Sequence, residues 1–211
     1  MKTQFALLIS LISVISSVKA AIIVTFQPSF HPGTADITSQ WVEKGLRFFT
    51  PNGITINDVS DPLFPFNGTP YAQLLSNQAP LSITSVNSSP FSVSAIDLAE
   101  YSTVFATPTT ISFTGTLVGG GTVSTTFVTD GIIDGNGPLQ DFQTFTFPAS
   151  FSNLTQVTTN AAPFSFDNLQ ATIVPEPSTV GLFLLGTSVW IALKRFPRHS
   201  RSRFAVQQGK G

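Results

Sequence analysis

Thr110–Phe127 reads TISFTGTLVGGGTVSTTF. From Ile111 to Val118 apolar and polar residues alternate, beginning Ile111-Ser112-Phe113-Thr114. Gly119, Gly120 and Gly121 then interrupt, and Val123, Thr125 and Phe127 resume the alternation on the way back. A period of two, rich in β-branched and aromatic residues, is the pattern of a half-buried strand, and glycines between two such runs supply the backbone freedom of a turn. The segment is therefore expected to be a β-hairpin.

Outward from the hairpin the same grammar repeats. Strands are expected at Ile22–Phe26, Leu81–Val86, Phe91–Tyr101, Gln143–Phe147, Leu154–Thr158 and Phe164–Val174, each bounded by Pro, Gly or Asn. Phe91 and Val93 share one parity while Ile96 and Leu98 hold the other, which requires a β-bulge near Ser94 and Ala95. Phe164 and Phe166, followed by Leu169, Ala171 and Ile173, place a second bulge at Asp167 and Asn168. Short helical turns are expected only at Thr38–Phe49 and Tyr71–Leu75. The fold class is all-β, and the spacing of strands and turns points to a two-sheet antiparallel sandwich or jelly roll.

The charge is polarised. Between Ala21 and Val174 stand ten acids against Lys44 and Arg47, a net charge of −8 (2 − 10), although the whole chain sums to −1. Such an acidic body disfavours nucleic acid as a partner. There is no cysteine, so this body must be held by its core alone, and residues 21–173 are enough for one.

The two ends read differently. Lys2 precedes an apolar run from Phe5 to Val18, and Val18-Lys19-Ala20 offers the small residues of a signal-peptidase site, giving a signal peptide over 1–20 cut between Ala20 and Ala21. At the other end, Val174–Arg195 reads VPEPSTVGLFLLGTSVWIALKR. Pro175 and Pro177 keep the chain extended through Glu176, and a helix can start only after them. Thr179–Leu193 holds no charge, and a helix from Ser178 to Phe196, with Lys194 and Arg195 snorkelling, reaches about 28 Å against a hydrocarbon core of about 30 Å. Six of the ten basic residues, Lys194, Arg195 and Arg198 among them, lie in the last 18 positions, where the positive-inside rule keeps them cytoplasmic. The organisation expected is signal peptide 1–20, exported body 21–173, sorting motif and transmembrane helix 174–196, and basic tail 197–211.

This order of parts resembles the bacterial PEP-CTERM sorting architecture, with Pro175, Glu176 and Pro177 at the signature tripeptide and Lys194-Arg195 at the basic end. One departure is that the chain runs 16 residues past Arg195. The resemblance implies an exosortase-type membrane transpeptidase as partner. It also implies anchoring in the inner membrane before processing, and the cell surface or an exopolysaccharide matrix as destination. Phe91–Tyr101, Thr110–Phe127, Phe142–Phe151 and Phe164–Leu169 also look like a domain type of exported proteins of this sorting class. Its jelly-roll relatives include carbohydrate-binding modules, and no binding residue carries over.

Catalytic chemistry is thin. His31 and His199 are the only histidines; the first suits a loop and the second falls in the tail. No nucleophile elbow, metal-binding His pair or phosphate loop is present. Asp130, Asp134 and Asn136 are oxygen ligands of the kind Ca²⁺ takes, without EF-hand spacing, so an ordinary Asp-Gly turn is expected and no cofactor is implied. For stacking on sugar rings the body offers Trp41, Tyr71 and Tyr101, of which Trp41 is expected to pack inward. The reading is a non-catalytic structural or glycan-adhering body. Its rival is an extracellular polysaccharide-acting enzyme using a carboxylate pair.

Overall fold

The computed structural model describes residues 20–174, apart from 28–32, 60, 62, 75–78 and 134–140. Of the expected signal peptide, residues 1–19 lie outside the described residues, as do Pro175, Glu176 and Pro177 of the expected sorting motif, the expected membrane helix, the cluster Lys194, Arg195 and Arg198, and His31, Asp134 and Asn136. Among the described residues, no helix is long and apolar enough to cross a membrane.

The body is all-β and antiparallel throughout. Its strands are β1 (Ala20–Val24), β2 (Ala35–Glu43), β3 (Leu46–Asn57), β4 (Tyr71–Leu74), β5 (Ser82–Ser85), β6 (Phe91–Ala99), β7 (Thr110–Leu117), β8 (Thr122–Val128), β9 (Gln143–Thr146), β10 (Leu154–Thr159) and β11 (Phe164–Ile173). The hairpin β7–β8 stands where the alternation placed it, with Gly119, Gly120 and Gly121 all at positive φ (88°, 98° and 85°). Both bulges are present and lie across from each other. In the β6–β11 pairing Asp97 meets Asp167, the next pair is Ala95 with Gln170, and then Val93 with Ala171, so β11 carries an extra residue near Asn168 and β6 one at Ser94. Asn168 takes φ 49°, a left-handed conformation that asparagine tolerates better than most residues.

Two expectations are corrected. Thr38–Phe49 and Tyr71–Leu74 are strand, not helical turns. In the first, Trp41, Glu43, Leu46 and Phe48 are buried alternately about the two-residue turn Lys44-Gly45, whose φ values of 47° and 82° suit the right-handed twist of a hairpin. The second is too short for any period to show.

The other correction concerns sheet number. β3 is long enough to serve both halves of the body: Leu46–Phe49 pair with β5, and Thr55–Asn57 with β4. Between these halves Thr50–Gly53 stand opposite Ser39 alone, where the β2–β3 register shifts. Gly53 sits there at φ 88°, with a Cβ excluded by Ile37 Cγ2 at 2.9 Å. On the other side Leu154 of β10 pairs with Phe91 of β6. The strands expected as two separate sheets thus form a single sheet, whose order β10-β5-β3-β4-β11-β6 closes into a barrel with the remaining strands outside the ring.

Phenylalanine fills the interior. One group centres on Phe26, whose ring meets Phe166 at 5.2 Å, Phe48 at 5.4 Å and Trp41 at 6.1 Å. Another centres on Phe147, meeting Phe151 at 5.0 Å, Phe113 at 5.1 Å and Phe127 at 5.2 Å. Each buried ring contributes about 1.5–3 kcal/mol, which is how a body with no disulfide holds together.

Candidate functional site

Strand parity sends Thr55 and Asn57 of β3, Tyr71 and Gln73 of β4, Ser165 and Asp167 of β11 and Asp97 of β6 away from the apolar core. Most of them are nonetheless buried: Asn57, Gln73, Ser165 and Asp167 are each no more than 2% exposed. The segment leading into β4 lies over them. It is shaped by three side-chain turns, in which Asn57, Asp61 and Asn67 each accept the backbone N–H two residues on, at 2.8–3.1 Å.

Beneath this segment runs a polar layer. Asn57 Nδ2 donates to Gln73 Oε1 at 3.0 Å, and Gln73 Nε2 donates to Tyr101 O at 2.9 Å and Ser165 Oγ at 3.2 Å. Asp167 Oδ2 accepts from Asn67 Nδ2 at 2.7 Å and Thr69 Oγ1 at 3.1 Å, while Oδ1 accepts from Asn168 N at 2.7 Å. Asp97 accepts from Thr144 Oγ1 at 2.6 Å and Asn168 Nδ2 at 2.8 Å. Asn168, on the β11 bulge, therefore bridges the facing carboxylates. Burial pushes the Asp167 carboxyl up to about 7; the donors Asn67, Asn168 and Thr69 oppose this, and nearby Asp97 adds to it. Desolvation outweighs the hydrogen bonds because the whole side chain is out of water.

At one margin of the layer sit aromatic and acidic groups. Tyr71 packs edge-on to Phe142 at 5.3 Å. Among the described residues its buried hydroxyl has no hydrogen-bond partner, and its pKa is raised first by burial and then by Tyr101, Asp141 and Asp61. Tyr101 is half-buried between the edges of Phe64 at 5.9 Å and Phe105 at 6.0 Å. Leu63, Val104 and Phe105 around it are exposed by 54%, 80% and 45%, an apolar rim on an acidic body. Glu100 is fully buried; its Oε1 accepts from Gly131 N at 2.6 Å, and Oε2 has no partner among the described residues.

Trp41 packs inward, its Nε1 donating to buried Glu43 Oε2 at 3.2 Å. Asp130 makes the expected turn, Oδ1 accepting from Ile132 N at 2.9 Å and Oδ2 from Gln143 Nε2 at 2.5 Å. Among the described residues no group of three or more His, Cys, Asp or Glu could hold a metal ion. Ala20 and Ala21 open β1, paired with Ile173 and Thr172 at the end of β11. The polar layer itself escaped sequence reasoning, because its residues have the parity of solvent-facing positions. The run of Asn57, Asp58, Asp61 and Asn67 ahead of β4 was the available signal that a structured segment lies there. No family model and no curated protein matches this sequence.

Proposed function

We propose that the chain is an exported surface or extracellular-matrix protein. In this reading it is sorted and anchored through Pro175-Glu176-Pro177, the apolar stretch behind them and the basic cluster Lys194, Arg195 and Arg198. The all-β body, a barrel with further strands outside its ring, acts without catalysis as a structural or glycan-adhering module. One observation supports this most. Ala20 pairs with Ile173, so the signal-peptidase site and the start of the sorting motif emerge at the same end of one strand pair. A cut after Ala20 leaves Ala21–Val24 to keep that pairing, and the body then hangs from a single point next to Pro175.

For a glycan, Tyr101 beside exposed Phe105 is the accessible one of the three aromatics Trp41, Tyr71 and Tyr101, since Trp41 and Tyr71 are buried. Sugar rings stack on such faces, and the acids nearby would accept from their hydroxyls. The rival reading, hydrolysis by a carboxylate pair, has Asp97 and Asp167 to draw on. Glycosidases separate their carboxyls by about 5–9.5 Å around an accessible bond. Asp167 is fully buried and bound by three donors, which favours a structural role.

Glu176→Ala, followed by fractionation of the cells, tests the sorting. Retention of an unprocessed, membrane-bound chain is expected, and unaltered release contradicts it. A glycan array separates the body's roles. Saturable binding lost in Tyr101→Ala supports adhesion, turnover lost in Asp97→Asn supports the enzyme, and neither leaves a structural part.

A further inference from the structure

β8 is an end strand of the sheet, and among the described residues its outer side has no neighbour. Leu117 N donates to Gly121 O, and Thr129 N donates to Thr109 O. Antiparallel pairs alternate, so between those ends Val123, Thr125 and Phe127 exchange bonds with β7. Thr122, Ser124, Thr126 and Val128 therefore aim their amides and carbonyls outward, and all four residues are exposed.

Sheet edges of this kind are normally blunted by charge, proline or a bulge. TVSTTFV has none of the three, and its pairing with β7 runs without a register shift. The other edges differ. β2 carries Asp36 and Glu43. β9 has only four residues. On β1 the Lys44 ammonium occupies the carbonyl of Ile23. On a body of net charge −8, β8 is thus a seven-residue edge at which two copies can meet with no like charges between them.

We propose that β8 is a self-association edge, at which two copies of this chain pair β8 to β8, antiparallel about Thr125, and continue one sheet across the dimer. In that register Ser124 meets Thr126 of the second copy. This repeats the hydroxyl pairs already present within the hairpin, Ser112 with Thr126 at 3.1 Å and Thr114 with Ser124 at 3.3 Å. On the inner face Val123 meets Phe127, so the half-exposed end of the core is covered. The outward amides of Thr122, Ser124, Thr126 and Val128 all find partners, and the two Thr125 residues form a non-hydrogen-bonded pair about 4.5 Å apart at Cα, within disulfide reach. The proposal rests on the fold and not on where the chain is sorted.

The chain lacks cysteine, so Thr125→Cys in the full-length protein, kept in a mild detergent, gives each copy a single thiol. Mild oxidation is expected to link most of this variant as dimer. Thr122→Cys, facing Val128, should stay largely unlinked. Ser124→Pro removes an outward amide while sparing the backbone bonds to β7, losing there only the exposed hydroxyl contact with Thr114, and should convert dimer to monomer in sedimentation with an unchanged circular dichroism spectrum. The two cysteine variants decide the question even if the proline variant does not fold. A monomeric parent chain, or equal cross-linking at 122 and 125, overturns the proposal.

Discussion

Asp97 and Asp167 face each other across the β6–β11 pairing, and only Asp97 reaches solvent. Asn168 joins them by donating its backbone N–H to one and its side-chain amide to the other. The two facing bulges thus produce a buried carboxyl held by neighbouring amides, with the consequences that follow.

Stability should depend on pH through Asp167. Its carboxyl is held at about 7 in the fold against 3.8 when exposed, so between those values the folded chain keeps a proton that the unfolded chain has lost. This contribution is fully present below about pH 4 and is lost as pH rises to about 7, on the order of a few kcal/mol. Thermal melts across that range should show the parent losing stability relative to Asp167→Asn as pH rises. A gap independent of pH would contradict the assignment.

Asn67→Ala removes a donor from a carboxyl that water cannot reach. Leaving such an acceptor short costs about 1–3 kcal/mol, and Asn67→Asp, which sets a second acid beside it, should cost at least as much above neutral pH. Urea denaturation of the two variants measures both.

Gly115→Ala should destabilise by about 1–3 kcal/mol through overpacking. A Cβ there would stand 2.7 Å from Leu154 Cδ2 and 3.1 Å from Val123 Cγ2. If the close approach is the cause, Leu154→Ala, which opens that space, should make the second substitution milder in a double-mutant cycle.

Phe166→Ala should cost about 3–5 kcal/mol. Its ring touches Phe26, Phe48 and Phe164, all fully buried, so the cavity has few ways to collapse. Denaturant titration should show the loss. A cost below about 1 kcal/mol would mean that the Phe26 cluster is not a principal part of the core.

Strand identity was legible wherever alternation had room to show itself. β7 and β8 announce themselves in Ile111, Phe113, Val123 and Phe127, and the parity slips in β6 and β11 betrayed both bulges, because one extra residue turns every later side chain to the opposite face. β2 and β3 were missed because Lys44-Gly45 is an inconspicuous turn and Pro51 interrupts the second strand. The joining of the two halves was not legible, since it depends on one strand pairing with β5 at its start and β4 at its end. The polar layer was hidden for a related reason. Period two assigns a residue to a face and is silent on whether a segment such as 63–70 covers that face.

If, as we propose, the body is exported while the basic tail stays behind, protease treatment of intact cells should tell the two apart. One epitope would be placed in the exposed Gly119–Gly121 turn, which tolerates insertion, and another after Gly211. Loss of the first with protection of the second is the predicted result. Protection of both, or loss of both, would contradict it.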